Sequence, residues 1–236
     1  MRVDVEKKNP ALESLFTDPE QTIFLDANFF IPPDRSRMGT KPIPFLKFCE
    51  IWLDPIFDAF PNLAIHESVY HELVADAVKK YADERQSESP SHLRVYKDAE
   101  LNEAEQALMQ AYISKLAEYS QYIPERDNAK DRGEVRSLSF MAVKRFLYFA
   151  ANDTLPMNLI RKADELLTGL DDMELLEMYD VIYYLYCTRK YPPDGLRLLY
   201  KYEYYLTKQE KKMNLAWGEF IEKMNALYGK NQDQKA

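Results

Sequence analysis

Four acidic residues that lie far apart in the chain each follow a predicted strand or lie early in a predicted helix. They are Asp26, Glu72, Glu134 and Asp153. In a parallel α/β sheet such places can fall on one edge, where ligands bind, so the four carboxylates can converge there. A cluster of carboxylates repels itself, and its natural partners are hard cations that prefer oxygen ligands, Mg²⁺ or Mn²⁺. The pattern therefore predicts an acidic metal site.

Asp26 is the first predicted ligand of this site. It interrupts the run TIFLDANFFI at residues 22–31, whose apolar and β-favouring residues are typical of a strand buried on both faces. An unpaired charge costs several kcal/mol or more to bury, so this carboxylate should meet a metal ion, another cation or solvent. A carboxylate that caps a turn after the strand is the alternative interpretation.

Strands that alternate with helices would position these residues. Strands are predicted at about Thr22–Leu25, Leu63–Ile65, Phe146–Ala151 and Asp172–Met178. The sequence pattern predicts helices near Pro10–Phe16, Pro44–Phe60, Glu67–Lys80, Asp98–Tyr122, Gly133–Tyr148, Pro156–Thr168 and Tyr179–Arg189, and one or two helices over Asp194–Tyr228. Residues 83–97 are predicted to form a loop, and the tail from Gly229 is predicted to be disordered. The alternation predicts an α/β fold, a three-layer α/β/α sandwich around a short parallel central sheet.

The order of the acidic motifs resembles that of the PIN-domain nucleases. The matching stretches are LDAN at 25–28, HEL at 71–73, GE at 133–134 before an apolar helix, and ND at 152–153 after an apolar strand. The stretch MELLEMYDVIYYLY at 173–186 also looks like the final strand and helix of that fold. The resemblance covers about residues 20–190. It implies a PIN-like domain at 1–190 with a helical insertion at about 83–131, followed by a C-terminal helical extension at 191–236.

The resemblance also implies an activity, which is metal-dependent hydrolysis of phosphodiester bonds, usually in RNA. Asp26, Glu72, Glu134 and Asp153 would be the catalytic carboxylates that bind Mg²⁺ or Mn²⁺. Asn28 would be a neighbouring polar group that orients a ligand or a water molecule.

Several of these assignments have a competing interpretation. Glu67 competes with Glu72 as a ligand, because Glu67 lies nearer the end of the predicted strand whereas Glu72 fits the family motif better. Glu72 could also be a solvent-facing helix residue. Glu134 could be a favourable charge in the first turn of a helix, and Asp153 could be a helix cap.

Arg132 and Arg136 flank Glu134 and are the predicted substrate-binding residues. Beside a metal ligand, their guanidinium groups would contact substrate phosphates. A solvated helix face is the alternative interpretation. A zinc site at His66 and His71 is disfavoured, because these histidines are five residues apart and the zinc-protease helix places its histidines four apart.

The composition excludes several classes of protein. A net charge of −8 excludes a generally basic nucleic-acid coat, although a nuclease needs only a local basic patch. Two cysteines, Cys49 and Cys187, cannot form a disulfide framework. The N-terminal residues MRVDVEKKNP lack the apolar core of a signal peptide, and no stretch reaches the ~18 consecutive apolar residues of a membrane span. The expected location is the cytoplasm.

The leading hypothesis is a metal-dependent endoribonuclease, toxin-type or otherwise regulated, with RNA as its substrate and an antitoxin or another protein as a candidate partner. A second hypothesis is a non-catalytic PIN-like module whose long helix and tyrosine-rich C-terminal part bind a protein. A third is a nuclease that acts on DNA with the same site. A homodimer is compatible with each hypothesis, and none involves a membrane.

Overall fold

The computed structural model describes residues 2–229 of the chain. The tail that is predicted to be disordered consists of Gly229 and residues 230–236. Residues 230–236 lie outside the described residues. The described part contains five strands, β1 (Ile23–Leu25), β2 (Leu63–His66), β3 (Leu93–Tyr96), β4 (Tyr148–Ala150) and β5 (Glu174–Leu176). Every pair of neighbouring strands is parallel, which confirms the predicted α/β class with a short parallel sheet.

The helices that the structure describes follow the predicted order. They are α1 (Pro10–Thr17), α2 (Phe45–Phe48), α3 (Asp54–Ala59), α4 (Glu67–Glu72), α5 (Asp76–Ser87), α6 (Glu103–Ala117), α7 (Arg132–Lys144), α8 (Thr154–Arg161), α9 (Ala163–Leu166), α10 (Met178–Thr188), α11 (Pro193–Tyr204), α12 (Glu210–Met213) and α13 (Trp217–Tyr228). A π-helical segment, Cys49–Leu53, joins α2 to α3. Short 3-10 helices lie at Ala27–Phe29, Ser36–Met38, Asp98–Glu100 and Pro124–Arg126.

The chain divides into two compact units. The sheet unit consists of Glu20–Ile31 and Phe60–Leu176, and it contains all five strands and every predicted site residue. The helical unit consists of the residues up to Pro19, Pro32–Ala59 and the residues from Glu177 onward. The predicted boundary between residues 190 and 191 lies inside the helical unit, and the division into 1–190 and 191–236 stays a prediction.

The sheet has the strand order β3-β2-β1-β4-β5, so β1 lies at its centre. The register pairs Phe24 with Ala64 on one side and with Phe149 on the other, and Phe149 with Leu175. These four buried residues form one row across the sheet and belong to a single apolar cluster. The helices α6, α7 and α8 complete that cluster, with side chains that include Ile113, Leu116, Leu138, Met141 and Leu159.

Within the sheet unit, acidic residues follow the carboxyl ends of four strands, β1 to β4. Asp26 follows β1 directly, Glu67 follows β2 directly, Asp98 lies shortly after β3 and Asp153 shortly after β4. Because the strands are parallel and in register, these residues all emerge at the same edge. The topology therefore gathers acidic groups that are up to 127 residues apart in the sequence.

The sequence interpretation is wrong at residues 83–97, where a loop is predicted. Helix α5 continues to Ser87, and β3 occupies Leu93–Tyr96. The predicted helical insertion at about 83–131 accordingly contains a strand. β3 is an edge strand, so it leaves Arg94 exposed and needs no continuous apolar run.

The predicted helix at Glu67–Lys80 is also wrong in one respect, because the structure divides it into α4 and α5. Leu73 ends α4 with a ψ of 70°, outside the helical range. Val74, the next residue, is 83% exposed. Glu72 thereby becomes the last residue of a short helix.

The helical unit has an aromatic core of its own. Tyr183, Tyr200 and Phe220 are fully buried, and the rings of Tyr200 and Phe220 stack with centroids 4.4 Å apart. Tyr179 and Tyr204 make an edge-to-face contact in the same core. The tyrosine-rich stretch thus packs internally at these positions. Between residues 2 and 229, no helix combines the length and the apolar character needed to cross a membrane.

Candidate metal centre

Asp26 lies at the end of the central strand with one carboxylate oxygen unsatisfied. Its backbone N–H donates to the carbonyl of Ala150, at 2.9 Å, so the β1–β4 ladder fixes its position. The residue is 2% exposed. Oδ2 accepts a hydrogen bond of 2.6 Å from the Asn28 side chain, and Oδ1 is buried with no hydrogen-bond partner among the described residues. A buried carboxylate oxygen without a partner is costly, which makes it a candidate ligand atom.

Three of the predicted carboxylates converge. Asp26, Glu134 and Asp153 each offer one oxygen atom, and these atoms all lie within 4.8 Å of one another. Glu134 belongs to the first turn of α7. Asp153 precedes α8 at its N-cap position, but its side chain makes no capping hydrogen bond there. The alternative interpretation of Asp153 as a side-chain cap therefore lacks the bond that defines it.

Glu72 adds a fourth carboxylate beside this group. Its Oε1 accepts a 3.0 Å hydrogen bond from the backbone N–H of Gly133, the residue before Glu134. It contributes to the electrostatic field at Asp26, and Glu134 and Asp153 contribute to the field at Glu72. Helix α4 packs against α7, which places the end of one helix beside the start of the other. The four acids predicted from the sequence thus form one electrostatic cluster.

Three carboxyl groups of this cluster have raised pKa values. Burial, followed by repulsion from Glu134, Asp153 and Glu72, raises the pKa of Asp26 well above its ordinary value. Burial and Glu134 raise the pKa of Glu72 from 4.5 to about 7. The pKa of Glu134 is also raised, mainly by burial. A proton or a bound cation would relieve this repulsion.

Asn28 connects two of the loops that carry the acids. Its side-chain N–H₂ donates to Asp26, and its Oδ1 accepts a 3.3 Å hydrogen bond from the backbone N–H of Asn152. The side chain therefore bridges the end of β1 to the loop that carries Asp153. This geometry suits the predicted orienting role of Asn28.

Glu67, the competitor of Glu72, lies in a different group. Its Oε1 accepts a 2.8 Å hydrogen bond from the backbone N–H of Asp98. Together with Asp98 and the buried His66 it forms a second group of side chains with metal-ligand types. The sequence interpretation assigned no role to Asp98. Its signal was available, since an acid shortly after the alternating run LRVY repeats the strand-then-acid pattern of Asp26.

Both predicted substrate-binding arginines are ion-paired. Arg132 lies 3.4 Å from Oδ2 of Asp127, and Arg136 donates to Oδ2 of Asp98. Arg132 also lowers the pKa of Glu72 slightly against the larger effects that raise it, so it lies close to the acidic cluster. Arg132 thus lies near both Asp127 and Glu72. Arg136 lies instead beside Asp98, which also bonds to His66.

The donor set has the chemistry of a site for a hard cation. All four groups of the cluster are carboxylates, and Mg²⁺ and Mn²⁺ prefer oxygen ligands. The unsatisfied Oδ1 of Asp26 is the specific observation that a cation would explain. Comparisons of the chain with protein-family models, with curated proteins and with solved structures found no match. The case for an activity therefore depends on the geometry of the site itself.

Proposed function

We propose that this protein is a metal-dependent endoribonuclease with a PIN-like, three-layer α/β/α sheet unit. The observation that carries the proposal is the convergence of Asp26, Glu134 and Asp153 within 4.8 Å, around a buried oxygen of Asp26 that has no hydrogen-bond partner in the described part of the chain. Ligands of one ion must crowd together in this way, because carboxylate–metal bonds are only about 2.0–2.6 Å long. The crowding also favours a nuclease over a non-catalytic module with the same fold.

Four residues would hold Mg²⁺ or Mn²⁺: Asp26, Glu134 and Asp153, with Glu72 beside them. A bound divalent ion supplies nucleophilic water at neutral pH and stabilises negative charge on a phosphate and a leaving oxygen. Hydrogen bonds within the chain orient two of these carboxylates. Asn28 donates to Oδ2 of Asp26 and leaves Oδ1 available as a ligand. The backbone N–H of Gly133 donates to Oε1 of Glu72.

The carboxylates also set the protonation that the activity requires. Burial and repulsion favour the protonated forms of Asp26, Glu72 and Glu134, so the ion and protons would compete for the same oxygen atoms. Activity should accordingly need both a divalent ion and a pH at which Glu72 loses its proton.

Cleavage of single-stranded RNA by the purified protein tests the proposal. We expect cleavage with Mn²⁺, no cleavage with EDTA, and loss of cleavage in Asp26→Asn and Asp153→Asn. Full activity in either variant would sink the assignment. A parallel assay with single-stranded DNA of the same sequence separates RNA from DNA as the substrate. A regulating antitoxin, a homodimer and a cytoplasmic location stay predictions.

A further inference from the structure

Arg132 and Arg136 both line a small cleft, and polar side chains lie between them. Arg132 donates to Asp127, at 3.4 Å from Oδ2, and the hydroxyl of Tyr122 donates to Oδ1 of the same carboxylate, at 2.7 Å. Arg136 lies near the Tyr122 hydroxyl, and each group shifts the pKa of the other. Tyr122 is 3% exposed, so the hydroxyl beside the two arginines is held by a ring that is buried in the core.

Hydrogen bonds connect Arg136 to a fully buried histidine through Asp98. Arg136 donates to Oδ2 of Asp98, and Oδ1 of Asp98 lies 3.0 Å from Nε2 of His66. The backbone N–H of Ser68 donates to Nδ1 of His66, so the neutral ring carries its proton on Nε2 and donates it to Asp98. Glu67 holds the backbone N–H of Asp98. Asp98 is therefore fixed at three points, and it fixes Arg136.

Side chains of this network border an open cleft of about 270 Å³ at the start of α7. The cleft is lined by Glu67, Ser68, His71, Asp127, Arg132 and Arg136. Arg132 connects the cleft to the acidic cluster, since it lines the cleft and directly precedes Gly133, whose backbone N–H donates to Oε1 of Glu72. Arg132 and Arg136 lie two residues before and two residues after Glu134, at the start of α7.

We propose that this cleft binds a phosphate of the nucleic-acid strand adjacent to the cleaved bond, with Arg132 and Arg136 as its contacts and with His66 and Asp98 as positioning residues that hold Arg136. The identity of the strand as RNA rests on the proposed function, whereas the phosphate site rests on the network and the cleft. Paired guanidinium groups at a fixed spacing match the oxygen atoms of a phosphate.

The ion pairs already present leave donors for such a ligand. A guanidinium group has five N–H donors, and the hydrogen bond of Arg136 to Asp98 uses only part of them. Asp127 is 60% exposed in its pair with Arg132, so that pair is weak and exchangeable. A second cation site at His66, Glu67 and Asp98 is disfavoured, because both carboxylate oxygens of Asp98 already bond to Arg136 and His66.

Binding of a short fluorescein-labelled single-stranded RNA in EDTA tests the arginine contacts without cleavage. In Arg132→Ala and Arg136→Ala we expect the Kd to rise roughly tenfold, as for one lost charge-assisted hydrogen bond. The slope of log K against log[salt] should fall by about 0.7 in each, the value for one phosphate of a single strand. The control is Arg94→Ala, which removes the same charge from an exposed pair with Glu100. An unchanged Kd and slope in both cleft variants, or an equal change in the control, overturns the phosphate site.

Two substitutions of His66 test whether this residue positions Asp98 and, through it, Arg136. His66→Gln keeps an N–H donor near the place of Nε2, whereas His66→Asn is too short to reach Asp98. We expect His66→Asn to raise the Kd for RNA and the KM for cleavage with little change in kcat, and His66→Gln to restore both. Asp98→Asn should behave like His66→Asn, and its thermal unfolding monitors the fold. Equal Kd values in His66→Asn, Asp98→Asn and the wild type overturn this role.

Failure of the phosphate site and failure of the nuclease proposal would give different results. If arginine-dependent RNA binding is seen in EDTA but no metal-dependent cleavage follows, the phosphate site stands and the nuclease proposal falls. If cleavage is seen and the arginine variants bind as the wild type does, the nuclease proposal stands and the phosphate site falls.

Discussion

The carboxylate of Glu72 lies directly against the α-carbon of Gly133. The backbone N–H of Gly133 donates to Oε1 of Glu72 at 3.0 Å, and a Cβ atom on Gly133 would lie only 2.4 Å from that same oxygen. The glycine is needed for the close approach of a side chain and not for an unusual backbone conformation, since it lies inside helix α7. Because Gly133 has no Cβ atom, the carboxylate of Glu72 can lie at this position beside the other carboxylates of the cluster.

Gly133→Ala should separate activity from stability. The added methyl group displaces the end of the Glu72 side chain, so metal-dependent cleavage should fall by an order of magnitude or more. Stability should change less than activity, because the methyl group disturbs only the end of one side chain. Cleavage rates and thermal unfolding measured on the same preparation check both expectations. A variant that keeps full activity would show that the position of Glu72 does not matter.

Glu72→Gln and Glu67→Gln form a matched pair that decides between the two candidate ligands. Gln at 67 can still accept the N–H of Asp98, so we expect cleavage and metal affinity to change by less than about threefold. Gln at 72 removes a charge from the acidic cluster, and we expect both quantities to fall at least tenfold. Titration calorimetry with Mn²⁺ and a cleavage assay provide the measurements. The reverse order of effects would assign the ligand to Glu67.

Stability without metal should fall as the pH rises. A carboxyl group whose pKa is raised in the folded state keeps its proton after the unfolded chain has lost it, so the folded state binds more protons in that interval. For Glu72 the interval runs from 4.5 to about 7, and Asp26 and Glu134 shift in the same direction. Urea unfolding in EDTA should show the fall, and Glu72→Gln should flatten it. An identical pH profile in the variant would contradict the assignment.

Asp26→Asn should make the metal-free protein more stable and inactive. The substitution removes a buried charge, and the new side-chain oxygen can still accept the hydrogen bond from Asn28. We expect a gain in the free energy of unfolding on the order of 1 kcal/mol in EDTA at pH 8. The gain should disappear when Mn²⁺ is added, since only the wild type then acquires binding energy. A loss of stability in EDTA would indicate that Asp26 has a structural partner.

Divalent metal should stabilise the wild type more at pH 8 than at pH 6. Protons occupy the ligand oxygens at the lower pH, because the pKa of Glu72 is about 7, and metal binding must displace them. At a metal concentration of about 100 times the Kd, the stabilisation should be about 2.7 kcal/mol. Thermal shift measurements with Mg²⁺ and Mn²⁺ at the two pH values test this. An equal shift at both pH values would argue against carboxylate ligands.

The sequence predicts the strands of the sheet that contain a local run of apolar residues. β1, β2, β4 and β5 contain buried apolar runs, and each was predicted to within a few residues. β3 has neighbours on one side only, so its sequence carries Arg94 where an inner strand would carry an apolar residue. The break after α4 has no proline or glycine to mark it. It is visible only in the backbone of Leu73 and the exposure of Val74.

The residues of the candidate site also differ in how far the sequence predicts their positions. Asp26 and Asp153 follow strands closely, so the topology alone brings them together. Glu67 and Glu72 are five residues apart, which turns them by about 140° on a helix. Choosing between them therefore required the helix orientation, which the contact of Glu72 with Gly133 supplies. Asp98 was missed because its strand was missed.

The central position of β1 has a consequence for dissecting the protein. The sheet unit is discontinuous in sequence, because residues 32–59 lie between the segment that carries β1 and the segment that carries the other strands. A fragment of residues 60–176 would hold β3 paired with β2 and β4 paired with β5, with the middle of the sheet open. Isolated two-stranded pairs are marginally stable at best. A synthetic peptide of residues 20–31 would supply both the missing strand and Asp26, so refolding of such a fragment and recovery of metal binding should occur together on addition of that peptide.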